Sequence, residues 1–163
     1  MTSTFATFEG TLVGDGFADF YALTFGDLAG YGWHLTGDPH SGDELAQEAL
    51  TRVCARWGLL REPRPYAYRV VTNLARDRWR SAGRERTALA AFVPPEDVPG
   101  PDATTIDAVR RLPEHLRDVV LLHYFADLPV DEVARALHRP VGTVKRRLSD
   151  ARAALALSLE DLR

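Results

Sequence analysis

The segment from Asp127 to Arg152, DLPVDEVARALHRPVGTVKRRLSDAR, admits few folds. Its apolar residues fall at Val130, Val133, Ala134 and Leu137, stop over His138, Arg139 and Pro140, and resume at Val141, Val144, Leu148, Ala151 and Leu155. Spacings of three and four put each set on one face of a helix. Proline suits a first helical turn, where the amide hydrogen it lacks would have no partner, so the second helix begins at Pro140. Two helices about a tight turn make a helix-turn-helix. Such a unit can lay its second helix in the major groove of DNA, with its N-terminal residues at the base edges. That face carries Thr143, Lys145, Arg146 and Arg147. The pattern alone fits equally an ordinary helical hairpin with a solvated face.

The residues before it read as further helices. A stripe of Phe17, Phe20, Tyr21, Thr24, Leu28, Tyr31 and Leu35 predicts a helix from Asp15 or Gly16 to the stop signal Thr36-Gly37-Asp38-Pro39. Gly26, Gly30 and Gly32 weaken it by about 1 kcal/mol each relative to alanine, which points to a kink or a close helix contact. Ser41 as N-cap and Glu44 three residues on form a capping box for a second helix reaching Trp57. Leu45, Ala49, Leu50, Val53 and Trp57 are on its inner face, and Asp43, Glu44, Gln47 and Glu48 make an acidic outer one. Gly58 to Pro65 reads as a loop. A third helix from Pro65 buries Ala67, Val70, Val71 and Leu74 and exposes Arg69, Asn73, Arg76, Asp77, Arg78 and Arg80, its pattern fading after Ser81 and Gly83. Between Ala90 and Asp107 lie four prolines, four acids and few large apolar groups, the composition of a linker. Helices near Thr105 to Arg111 and Pro113 to Phe125 then lead into the helix-turn-helix. The expected fold is all-α: a leader at 1–14, a helical domain at 15–89, an extended acidic linker at 90–104, and a second helical domain at 105–163.

With 45% hydrophobic residues the chain can bury a core. No run reaches the roughly 18 apolar residues of a membrane span, and the N-terminus lacks a basic segment followed by an apolar core. A single cysteine, Cys54, excludes an internal disulfide and gives no zinc spacing, and the expected compartment is the reducing cytosol. His34, His40, His115, His123 and His138 form no ligand cluster, so no metal and no cofactor is expected.

The net charge of −3 hides a sorting into blocks. Residues 1–60 set Arg52 and Arg56 against eight acids, residues 61–90 set eight arginines against three acids, residues 91–109 hold four acids and no base, and residues 110–163 set ten bases against eight acids. Sorted charge implies segments with different partners. The overall balance lacks the basic excess usual in a stand-alone nucleic-acid binder.

Read together, SGDELAQEAL at Ser41 to Leu50, PYAYRVVTNLARDRWR at Pro65 to Arg80, and the segment from Leu112 to Leu155 resemble regions 2.2, 2.3/2.4 and 4 of a two-domain RNA polymerase sigma factor of the extracytoplasmic-function (ECF) type, in the manner of its SigE-like members. The resemblance covers about residues 15 to 162 apart from the linker. It implies that Asp43, Glu44, Leu45, Gln47 and Glu48 dock on the clamp helices of the largest subunit of core RNA polymerase. It also implies that the region 2 arginine face grips the opened strand of a −10 promoter element. Arg61, Arg64, Arg69, Arg76, Arg78 and Arg80 would meet phosphates, Asn73 would hydrogen-bond, and Trp79, with Tyr66 and Tyr68, could stack on bases, although core packing is the alternative for the tyrosines. Thr143, Lys145, Arg146 and Arg147 would read the −35 duplex, with Arg117 and Arg139 nearer its backbone. An anti-sigma factor is a further partner implied at the level of the family. Three positions depart from the pattern. Asp150 stands where a base is frequent, Arg146 where a small residue is common, and Ser41-Gly42 replaces an acid and an alanine. A self-sufficient helix-turn-helix regulator with an N-terminal sensor or dimerisation domain is the competing reading. A helical enzyme would require a nucleophile-base pair or a phosphate loop that the sequence does not display.

Overall fold

The structure, a computed structural model, describes residues 7–8, 11–12, 16–89 and 103–160, with side chains placed for 16–84 and 105–157. The expected linker therefore lies almost wholly outside the described residues. Of the expected leader only a minimal antiparallel pair is described, β1 (Thr7–Phe8) against β2 (Thr11–Leu12). Among the described residues all the remaining regular structure is helical: α1 (Phe17–Thr36), α2 (Pro39–Ala55), a 3-10 turn (Trp57–Leu59), α3 (Pro63–Leu89), α4 (Ala103–Arg111), α5 (Glu114–Val120), a π turn (Leu121–Phe125), α6 (Val130–Leu137) and α7 (Val141–Glu160).

The first core joins α1, α2 and α3. Leu28, Tyr31 and Leu35 of α1 meet Leu45, Ala46, Ala49, Leu50 and Val53 of α2 and Ala67, Tyr68, Val71 and Ala75 of α3, all buried. Two glycines let α1 and α2 cross closely. A Cβ built on Gly32 would stand 3.0 Å from the Gly42 Cα, and one on Gly42 only 2.5 Å from the Ala29 carbonyl oxygen. The contact expected from the glycines of α1 is thus made by Gly32, with Gly42 as its counterpart. The second core gathers Val109, Leu116, Val119, Val120, Leu121, Leu122, Leu128, Val133, Val144, Leu148 and Ala151.

Some boundaries differ from the sequence reading. The cap of α2 is Asp38, whose side chain accepts from the Ser41 amide at 2.8 Å, and Pro39 opens the helix. Ser41 therefore lies inside the first turn, and the four residues that stop α1 also start α2. Gly37, left-handed at φ 75°, closes α1 by donating its amide to the Trp33 carbonyl. Helix α3 starts at Pro63, because both prolines fit a first turn, and its backbone runs on to Leu89. The helix-turn-helix is as expected: α6 ends on left-handed His138, and the Arg139 amide reaches back to the Ala134 carbonyl at 2.9 Å. This is a Schellman closure, which usually has glycine at the left-handed position.

One buried hydrogen-bond chain joins α1 to α3. Thr72 Oγ1 donates to the Tyr68 carbonyl at 2.8 Å, which leaves Tyr31 Oη as donor to Thr72 Oγ1, also at 2.8 Å. Burial pushes the Tyr31 phenol above its ordinary value of 10.0, against a smaller opposing effect of the Thr72 hydrogen bond. A phenol harder to ionise when folded contributes stability below the unfolded value and loses it as pH rises past 10. Tyr31→Phe is therefore expected to cost about 1 kcal/mol at neutral pH. It should also flatten the fall of the urea midpoint above pH 10, and an unchanged alkaline slope would remove Tyr31 from that transition.

Candidate nucleic-acid interface

Helix α3 has two polar flanks that run along one long face. On the outer flank, Arg61 is exposed, the Arg69 guanidinium lies 5.3 Å from the Tyr66 ring centre, and Arg78 pairs with Glu44 at 2.9 Å. On the inner flank Arg80 is exposed as the sequence pattern led one to expect, whereas Asn73 and Arg76 are partly covered. Arg76, with only 16% of its side chain exposed, donates to Glu114 at 2.7 Å and to Asp118 at 3.2 Å, and also to Asn73 Oδ1 at 2.9 Å. Arg80 reaches Glu114 at 3.1 Å, and Arg64 pairs with Glu132. Arg135 of α6 returns the exchange by pairing with Glu62 ahead of α3.

Trp79 sits at the centre of this contact. Its Nε1 donates to the Leu35 carbonyl at 2.9 Å, and Arg110 Nη2 donates to the same oxygen at 2.7 Å. The Arg110 and Arg117 guanidinium carbons stand 4.8 and 5.6 Å from the ring centre, within range of cation-π attraction. Tyr68 is buried in the core, and Tyr66 is half-buried. So Asn73, Arg76, Trp79 and Arg80 lie together near α4 and α5, while Arg64, at the other end of α3, pairs with α6. Arg117, expected near duplex phosphates, lies over Trp79 instead.

Helix α7 presents a more open surface. Val144, Leu148 and Ala151 turn inward, Lys145 and Arg146 turn out, and Thr143 and Arg147 are half-buried between them. The Arg146 side chain is 85% exposed and approaches Asp150 at 4.0 Å. Arg139 is exposed in the turn before the helix. The open residues sit in the first two turns of α7, the part of a recognition helix that meets base edges.

The acidic face of α2 is also open. Asp43, Glu44, Gln47 and Glu48 are exposed, with Glu48 bridged to Arg52 at 2.9 Å. Leu45, at 1% exposure, is not on that face: it lies at the floor of a groove bordered by Glu48, Leu74, Asp77 and Arg78, and its part is to seat α2 on α3. Among the described residues no group of three or more His, Cys, Asp or Glu could hold a metal, and no helix is long and apolar enough to cross a membrane.

The residues the sequence reading did not single out are the acids opposite α3, Glu114, Asp118 and Glu132, with Glu62, Arg110 and Arg135. The signal for them was the charge sorting itself, since a block rich in arginine can be answered by acids further along the chain as readily as by a nucleic acid.

Two family descriptions match the chain in order, Sigma-70 region 2 over residues 21–85 and Sigma-70 region 4 over residues 104–155. The ECF RNA polymerase sigma factor SigW of Bacillus subtilis is 29% identical over 91% of this chain and 91% of its own length. The RNA polymerase sigma-E factor of Streptomyces antibioticus is 31% identical over 77% of this chain and 74% of its own. Among solved structures, the fold is similar to that of the sigma factor RpoE of Bartonella quintana in complex with the anti-sigma factor NepR, with a TM-score of 0.60 at 19% identity over 90% of this chain and 98% of that one. It is also similar to CnrH in complex with the cytosolic domain of CnrY, with a TM-score of 0.62 at 22% identity over 89% and 88%. A helical core bearing an arginine-rich α3, a helix-turn-helix with a basic outer face, and both matched regions in their order place the chain among the ECF RNA polymerase sigma factors, which direct the polymerase to promoters.

Proposed function

We propose a division of labour within this sigma factor that is assigned to particular residues. The acids of α2, Asp43, Glu44, Gln47 and Glu48, dock on the clamp helices of core polymerase. The arginine face of α3 and its preceding loop, Arg61, Arg64, Arg69, Asn73, Arg76, Arg78, Trp79 and Arg80, holds the opened −10 strand. The face of α7, Thr143, Lys145, Arg146 and Arg147 with Arg139, reads the −35 duplex. The domain limits of the sequence reading go with this assignment, as does an anti-sigma partner of the kind bound by the Bartonella relative. The chain does no covalent chemistry and works in the cytoplasm.

The observation that carries the assignment is that cations and an indole line one helix while separate cations project from the N-terminal turns of another. A single strand is held by charge for its phosphates and planar groups for its bases, whereas a duplex is read by side chains on a helix laid in the groove. The low net charge fits a subunit that meets promoters only as part of a larger enzyme. Arg117, spread over Trp79, is the member of the sequence assignment that the geometry supports least.

Transcription in vitro from core polymerase and this chain, followed by mapping of start sites, tests the reading as a whole. Specific initiation is the expected result, and a self-sufficient regulator would instead shift duplex DNA without the polymerase. Glu48→Lys reverses an exposed charge whose ion pair with Arg52 is on the surface and worth at most about 1 kcal/mol, so the fold should persist. Its affinity for core polymerase should fall about tenfold, a loss of about 1.4 kcal/mol. Core affinity equal to that of the unsubstituted chain would remove Glu48 from the docking face.

A further inference from the structure

We infer that Asp150 is a specificity-determining residue of the −35 interface. It acts with Arg146 as one donor-acceptor pair that reads two adjoining base pairs, a guanine through the guanidinium and a cytosine through the carboxylate. The inference rests on the assignment of α7 to the −35 duplex. It goes beyond that assignment by giving the acid a role and by naming the step that the pair selects.

On charge alone Asp150 is out of place. It is the one acid between Pro140 and Leu159, in a stretch that holds Lys145, Arg146, Arg147 and Arg152. A duplex carries one phosphate charge per about 1.7 Å of its axis, so an unaccompanied carboxylate on a helix laid against it weakens binding to every sequence. Asp150 is nevertheless on the open side of α7, with 57% of its side chain exposed.

Helical spacing gives it company. Four residues after Arg146, Asp150 lies one turn on along the same face, and its Oδ2 stands 4.0 Å from Arg146 Nε. Arg152 is engaged elsewhere, donating to the Tyr124 hydroxyl at 2.9 Å. The outward line through the pair begins at Gly142, four residues before Arg146, and ends at Ala153, three after Asp150. A Cβ added to Gly142 would meet nothing within 4 Å, and Ala153 is exposed. Small residues at both ends let the helix backbone come close to base edges, with Arg146 and Asp150 projecting between them.

In water such a pair does little for the fold. In a groove its chemistry matters more. The pair has no net charge, so it adds nothing to the counterion-driven part of binding that ignores sequence. What it adds is directional. The Nε edge of Arg146 faces the carboxylate, which leaves the two Nη groups for the O6 and N7 acceptors of a guanine. The carboxylate only accepts, and it is matched by the N4 amino group of cytosine. Guanine and thymine offer acceptors that repel it, and adenine sets its N7 acceptor beside its amino group. The 4.0 Å between the charged atoms is close to one base-pair rise of about 3.4 Å, so the bases they meet are neighbours.

The test uses the chain in complex with core polymerase, on a promoter library in which each −35 position carries all four base pairs, scored by transcript counts from the mapped start site. The unsubstituted chain should prefer guanine at one position and cytosine beside it. Asp150→Ala should lower the cytosine preference about tenfold and the guanine preference about threefold, since Arg146 loses the group that orients it. Asp150→Asn keeps the shape and removes the charge. It should move the preference at that position from cytosine to adenine, whose N6 and N7 an amide matches. Arg146→Ala combined with Asp150→Ala should abolish both preferences and leave the salt dependence of promoter binding unchanged. A uniform rise in transcription across the library with Asp150→Ala would mean that the acid only repels the duplex, and the inference would be overturned. Unchanged preferences with a lowered urea midpoint would assign Asp150 to the fold, and would overturn it equally. If Arg146→Ala also leaves every −35 preference as it was, the inference falls for an earlier reason, because α7 then does not read the −35 element.

Discussion

Gly42→Ala is expected to lower the stability of the chain by about 2 kcal/mol, and Gly42→Val by more, read as a shift of the urea unfolding midpoint at unchanged slope. Two effects compete. Alanine gains about 1 kcal/mol over glycine inside a helix. Against it, the new Cβ would lie 2.5 Å from the Ala29 carbonyl oxygen and 2.7 Å from the Trp33 amide nitrogen. Both are backbone atoms of α1, so no side-chain rotation relieves the overlap, and the two helices must separate along a contact that also buries Leu28, Leu35, Leu45 and Ala49. The same substitution at Gly26, where nothing lies within 4 Å, has only the favourable effect and should stabilise by up to about 1 kcal/mol. Opposite signs at the two positions are the signature of the close crossing. A stabilising Gly42→Ala would mean that α1 and α2 stand further apart than a 2.5 Å approach of the new Cβ implies. Alanine is also the residue that the family pattern commonly has at this place, so the measurement reports how far this particular helix pair has closed.

That crossing illustrates what the sequence discloses and what it withholds. Helical periodicity located every long helix, because burial on one face imposes spacings of three and four wherever a core exists. The glycines of α1 announced a close contact. They could not name Gly42 as the partner, since nothing local to α2 marks which of its residues faces another backbone. The cap of α2 was misassigned for a related reason. Ser41 and Glu44 satisfy a capping box on paper, but Asp38 followed by Pro39 is an equally good start three residues earlier, and it is the Asp38 carboxylate that accepts from the Ser41 amide.

The candidate site shows a deeper limit. Composition made the arginines of α3 visible, and amphipathic spacing separated Ala67, Val70 and Val71 from Arg76 and Arg80, while Ala75 joined the buried face unannounced and Leu74 is only half-buried. Amphipathicity divides a helix into a face toward its own core and a face away from it. It does not say whether the second face meets water, a nucleic acid, or another part of the same chain. Here the answering acids, Glu114, Asp118 and Glu132, lie 34 to 68 residues away in sequence from the arginines they pair with. The exposed faces of α2 and α7 were more legible because nothing else in the described chain covers them.

Arg146→Glu is expected to reduce transcription from a cognate promoter at least tenfold while leaving both the fold and the affinity for core polymerase unchanged. The fold should hold because the side chain is 85% exposed and its ion pair with Asp150 at 4.0 Å is of the surface kind worth about 0–1 kcal/mol. A cation-to-base or cation-to-phosphate contact is worth about 1–3 kcal/mol, a factor of about 5 to 150 in binding, and a carboxylate in its place adds repulsion from the duplex. Arg146→Ala separates the two kinds of contact. Loss of a phosphate contact weakens all promoters alike and lowers the salt dependence of binding by about one counterion, whereas loss of a base contact relaxes the preference at one position of the −35 element. The second outcome is favoured by the place of Arg146 in the open outer face of α7, beside Lys145, and by the family pattern, in which a small residue is common there and a long cation adds reach toward a base. Undiminished transcription from every cognate promoter with Arg146→Glu would show that α7 meets DNA through another face, and Arg139 and Arg147 would be the next residues to reverse.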